Sequence, residues 1–190
     1  DLPLSRGLGD VYKRQAMDRA DHSVGEEREV EQSRASVLIP VIKGWITELS
    51  VSHCSDGVQI HGGMGFIEET GAAQYFRDSR ILPIYEGTTA IQANDLMFRK
   101  TIRDEGQTIR NLLDEIETEI ADIDDVYSLP LTKAILEVRN TLERLLSRSN
   151  APRFLAANGV SWLMQLGYLC GGWMAVKSAD KACLLYTSPS

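Results

Sequence analysis

Apolar residues recur along this chain at intervals of three and four, and nowhere over the length of a strand do they alternate. The clearest series is Leu38, Ile39, Val41, Ile42, Trp45, Ile46, Leu49. Later stripes follow Ile109–Ile123, Leu131–Leu146 and, from about Pro152, Phe154 through Leu166. An interval of three or four returns to the same face of a helix, whereas a strand with one wet side needs a period of two. The pattern predicts an all-α chain, an antiparallel helical bundle with short connections.

Punctuation divides the helices. Pro40 suits a first turn, where its missing N–H costs nothing, and Gly62-Gly63 should stop that helix near Ile60. Glu68-Glu69-Thr70 should open a second helix to about Arg80, broken by Pro83. Thr88-Thr89 reads as the cap of a third, with Ile91, Leu96, Met97, Thr101 and Ile102 on its apolar stripe. Gly106 ends it, and the stretch 104–107 is a candidate boundary between two helical layers. Residues 16–36 are charge-rich and predict a helix remnant and a loop. Gly167 and Gly171-Gly172 predict a close helix approach or a break. Trp45, Trp162 and Trp173 fall on helical stripes and should pack in the core. The acidic cluster from Asp114 to Asp125 should face water.

Composition removes several function classes. Twenty basic against twenty-seven acidic side chains give a net charge of −7, which predicts neither nucleic-acid binding nor attraction to an anionic membrane. Three cysteines, at positions 54, 170 and 183, make no disulfide framework or metal knuckle and predict a reducing, cytoplasmic setting. No run approaches the roughly 18 apolar residues of a membrane span, so no membrane insertion is expected.

The two ends share a DNA-level signature. Arg6 through Gln15 can be encoded by a stretch whose reverse complement, shifted by one base, translates as Cys-Leu-Leu-Tyr-Thr-Ser-Pro-Ser, identical to Cys183–Ser190. The element resembles the transposon-end adapter of sequencing libraries. Residues 1–15 and 183–190 are therefore expected to be adapter-derived, the first of them disordered, and the rest to be a fragment of a longer protein.

Two segments depart from what a plain bundle needs. In Gln59-Ile60-His61-Gly62-Gly63-Met64-Gly65-Phe66, three glycines at a helix junction let a ligand approach the backbone, and free N–H groups there can face an anion. A helix end followed by a tight turn explains the same glycines. In Ile84-Tyr85-Glu86-Gly87-Thr88-Thr89, one carboxylate lies between apolar residues just before a helix. Desolvation would make it a better base, although the residues alone favour an exposed Glu complementing the helix dipole. His53, Cys54 and His61 lack zinc-ligand spacing, and no nucleophilic triad can be assembled.

Taken together, Asp56 through Phe66, Arg77-Asp78-Ser79-Arg80-Ile81 and Ile84-Tyr85-Glu86-Gly87-Thr88 closely resemble the C-terminal helical domain of acyl-CoA dehydrogenases. The likeness covers about residues 35–103. It implies part of that domain over 16–104, and over 105–182 a truncated extra helical segment like that of a longer bacterial-type branch. By this resemblance Glu86 is the base that takes the α-proton of an acyl-CoA thioester while a hydride passes to flavin, giving a trans-2-enoyl-CoA. Gln59, Gly62, Gly63 and Thr88 correspond to FAD-binding positions, and Tyr85 and Gly87 to the lining of the acyl-thioester end. The family implies an electron-transfer flavoprotein or similar acceptor and a homo-oligomer, dimer or tetramer. Ala90 stands where the family often has Gln, and a basic residue that some members place near the CoA adenine would fall at Phe98. The fragment by itself is expected to be inactive. An acyl-CoA oxidase of related fold and a non-catalytic helical oligomerisation module are the alternative readings.

Overall fold

The computed structural model describes residue 15 and residues 17–187, and among them there are helices and turns but no strands. The expectation of adapter-derived ends therefore falls outside the described residues, apart from Gln15 and the backbone at 183–187. A short helical stretch at 17–22 precedes α1 (Glu26–Ile60). A single turn (Gly63–Phe66) and a 3-10 turn (Glu68–Thr70) lead to α2 (Ala72–Ser79). Then come α3 (Thr89–Asn94), which widens directly into a π-helical stretch (Asp95–Ile102), α4 (Gln107–Ile120), α5 (Asp125–Leu146) and α6 (Pro152–Thr187).

Several boundaries differ from the sequence reading. α1 begins at Glu26, within the segment expected to be a helix remnant and a loop, so Pro40 lies in the helix interior rather than its first turn. The second helix does not run from Glu68, because Gly71 takes a left-handed φ of 78° and separates the 3-10 turn from α2. Thr88 does cap α3, its Oγ1 accepting from the Ile91 N–H at 3.4 Å. α6 passes through Gly167, Gly171 and Gly172 without a break.

Those glycines serve packing. A Cβ on Gly167 or Gly171 would fall within 2.3 Å of the Trp45 indole, so the bare stripe on α6 is what lets α1 lie so close. Leu163 presses on Gly44 in the same seam. The core is continuous across 104–107: Leu38 and Val41 of α1 and Leu96 and Met97 join Ile109, Leu113, Ile135, Leu142 and Leu163 in one buried cluster. Trp162 and Trp173 are buried as expected, while Trp45 is only half-buried. The Trp162 Nε1–H donates to the Thr101 hydroxyl at 3.0 Å, which donates in turn to the Leu96 carbonyl at 2.9 Å. A buried indole N–H thus finds its acceptor at the widened π turn.

By length and composition α1 is apolar enough to cross a membrane, contrary to the sequence reading. In the fold it is the helix against which α2, α3 and α6 pack, and its apolar stripe enters the core. The acidic cluster does not simply face water either. Glu115 meets the buried Arg34 at 2.7 Å, Asp114 and Glu117 clasp Arg139 at 2.6 and 2.7 Å, and Glu119 meets Lys177 at 2.6 Å. These acids tie α4 to α1, α5 and α6.

Candidate functional site

The segment between α2 and α3 is a run of turns, not an open loop. Leu82 N–H donates to Ser79 O at 3.1 Å, and Ile84 and Tyr85 N–H both donate to Ile81 O, at 3.0 and 3.1 Å. Thr89 N–H reaches back to Pro83 O at 3.3 Å, so the two limbs of the segment are joined across Ile84–Thr88. Pro83 and Thr89 are buried at its base, while Ile84, Tyr85 and Glu86 are exposed at its crest.

Glu86 sits at φ 52°, in the left-handed region, and Gly87 follows at 99°. For a residue with a Cβ this conformation costs about 1–2 kcal/mol, and it persists only where neighbouring structure imposes it. Two side chains of α1 do so. The Lys43 ammonium donates to the Leu82 carbonyl at 2.5 Å and lies 4.5 Å from the centre of the Tyr85 ring. On the other limb the Thr89 hydroxyl donates to Glu48 at 2.6 Å. Among the described residues the Glu86 carboxylate itself has no hydrogen bond or ion pair. This chain alone does not give it the dry surroundings anticipated from its apolar neighbours.

The glycine bend follows the C-terminal end of α1. Gly62 adopts φ 59° and ψ −141°, a conformation reserved for glycine, and its N–H donates to Gln59 O at 3.0 Å. Gly65 is required sterically, since a Cβ there would collide with the Val58 carbonyl. Gly62 and Gly63 are different: no protein atom lies within 4 Å of where their Cβ atoms would be, and both are exposed beside an exposed Gln59. Bare backbone and a free amide suit a flat polar group such as a flavin, which must approach the main chain closely. Thr88 is half-buried and spends its oxygen lone pair on the cap, leaving its O–H to donate.

The structure therefore gathers Tyr85, Glu86, Gly87 and Thr88 on one turn and Gln59, Gly62 and Gly63 on another, with no described hydrogen bond between the two groups. Cavities of about 420, 730 and 460 Å³ lie along α5–α6, between the N-terminal half of α1 and α4, and along α1–α6, and none of them is lined by these residues. Sequence reasoning missed Lys43 and Glu48. The available signal was two charges in the otherwise uncharged stretch 35–52 of α1. It also missed the partner of Arg77, a two-pronged ion pair with Glu68 at 2.7 Å that closes the turns between α1 and α2 and holds the Glu68 carboxyl below its usual range.

Comparison with known proteins points one way. Residues 14–100 match the family model for the acyl-CoA dehydrogenase C-terminal domain. The chain is 45% identical to 3-methylmercaptopropionyl-CoA dehydrogenase of Ruegeria pomeroyi over 170 residues, covering 86% of this chain and 29% of that protein. It is 30% identical to a broad-specificity linear acyl-CoA dehydrogenase of Mycobacterium tuberculosis over 158 residues, covering 77% of this chain and 26% of that one. A solved structure described as the apo form of Bd2924 superposes with a TM-score of 0.53 at 20% identity, covering 86% of this chain and 31% of the other, and shares the fold. The chain thus spans less than a third of the length of these relatives. By the family model and these identities, the chain belongs to the acyl-CoA dehydrogenase family.

Proposed function

We propose that this chain is the base-carrying helical part of an FAD-dependent acyl-CoA dehydrogenase, in which Glu86 removes the α-proton of an acyl-CoA thioester. The observation that carries the reading is Glu86 itself, exposed, without a hydrogen bond or ion pair among the described residues, and held in a left-handed conformation by a turn pinned at both limbs. A carboxylate without a partner among the described residues is free to take a proton from a bound molecule, and a fixed backbone limits where it can reach. Tyr85 and Gly87 border it and line the thioester end. Gln59, with the exposed main chain at Gly62 and Gly63, and the Thr88 hydroxyl hold FAD. When bound, FAD accepts the hydride from the substrate β-carbon, so that the product is the trans-2-enoyl-CoA.

On this reading, surfaces outside this chain complete the acyl pocket and exclude water from Glu86. The whole protein is a dimer or tetramer in the bacterial cytoplasm and passes electrons to an electron-transfer flavoprotein or a similar acceptor. The test is Glu86→Gln in the full-length protein. Mixed anaerobically with 3-methylmercaptopropionyl-CoA or a linear acyl-CoA, the variant should bleach its flavin about 10²–10⁴-fold more slowly than the parent, with FAD still bound. Bleaching within a few-fold of the parent rate would overturn the assignment.

A further inference from the structure

We infer that Lys43 and Glu48 are positioning residues for Glu86, an inference that rests on the assignment of Glu86 as the base. Five residues apart on α1, they are separated by about 7.5 Å along the axis and project about 140° apart around it. They can therefore grip two limbs of a neighbouring turn instead of one point. Lys43 takes the first limb, through the Leu82 carbonyl and the Tyr85 ring. Glu48 takes the second, through the Thr89 hydroxyl. The backbone bond from Thr89 to Pro83 joins the limbs below. Only Ile84 through Thr88 stand above these anchors, and Glu86 is at the crest in the conformation that needs outside support. Behind Gly87 the Gln92 side chain occupies the place a Cβ would take, which blocks retreat in that direction.

The grip depends on charge as well as bulk. Both side chains are half-buried, and neither belongs to the hydrophobic core. An ammonium can donate to a carbonyl and sit against an aromatic face together, which an apolar side chain of similar length cannot do. Losing it would let the turn relax away from φ 52° and swing the carboxylate off its line to the substrate α-carbon.

The experiment compares Lys43→Met, Lys43→Arg, Glu48→Ala and Glu86→Gln in the flavin-loaded full-length protein. Lys43→Met should slow anaerobic flavin reduction about 10–100-fold, the scale of a misplacement near 1 Å, with FAD content and acyl-CoA dissociation constant held within about twofold. Lys43→Arg, which keeps a cation and a donor, should recover most of the rate. In the present chain, Lys43→Met should also speed amide hydrogen exchange at residues 84–88 and leave α4 and α5 unchanged. Native reduction rate and native exchange in Lys43→Met would overturn the inference, as would equal impairment of the Met and Arg variants. Should Lys43→Met lose its flavin, Glu48→Ala decides, since it touches only the other limb: a slowed rate supports the inference and a native rate refutes it. Glu86→Gln separates the two levels. If it reduces flavin at the native rate, the base assignment itself fails. If it is slow while the anchor variants are native, only the positioning role fails.

Discussion

Glu86 and Cys170 show how differently one chain can treat two weak acids. Glu86 stands at the crest of a turn and has no hydrogen bond or ion pair among the described residues. Cys170 is a half-buried residue whose sulfur is enclosed, and burial pushes its thiol up to about 12 against the opposing pull of Arg34. A raised folded value means that the protonated thiol favours the native state. The stability it contributes is whole below its ordinary value of 9.0 and is lost as pH climbs from there toward about 12. Cys170→Ala removes that contribution. Between pH 9 and 11, denaturant titrations should therefore show the parent losing more stability than the variant, and parallel curves would contradict this. At this scale the sequence offered residue identities but few environments. Glu86 stands out by its apolar neighbours, and Tyr85 and Gly87 only by resemblance to a family motif. Lys43 and Glu48 went unseen because their partners lie about forty positions away, and no local rule pairs residues so distant in sequence.

Helices are read through the face they bury, and that explains both what was legible and what was not. α4 and α5 appear where their apolar stripes predict them, and Thr88 caps α3 as its residue type suggests. The first three turns of α1 were not legible. Their side chains bind by charge, as Arg34 does to Glu115, and a charged face has no hydrophobic period. Burial raises the Glu115 carboxyl and lowers the Arg34 guanidinium, each partly offset by the other's charge. The small-residue stripe of α6 gives a sharper test. Gly171→Ala places a methyl about 2.3 Å from the Trp45 ring, and overpacking of this kind costs about 1–3 kcal/mol. Gly57, inside α1 with open space around it, is the control, since Gly→Ala in a helix gains about 0.5–1 kcal/mol. Thermal unfolding should move the two midpoints in opposite directions, and a rise for Gly171→Ala would show that the indole yields freely.

At the scale of the whole molecule, one core draws on the stretches of sequence on both sides of 104–107. The apolar cluster draws on α1, the π stretch, α4, α5 and α6 together. Periodicity could count those helices, but their pairing depends on which faces meet across long separations, such as Trp162 with Thr101. The proposed site is complete at its base and open above. We expect this chain by itself not to turn over acyl-CoA, and stoichiometric retention of FAD together with dehydrogenase activity in the purified chain would refute that. The chain also leaves apolar side chains uncovered. Ile60 is 84% exposed and Phe66 80%, with Met64, Ile84, Tyr85 and Ile91 also uncovered. Water is a poor companion for so many of them. Handled on its own, the polypeptide will cling to columns, dyes and other copies of itself, and sulfate will salt it out early, because an excluded salt drives bare apolar surface together.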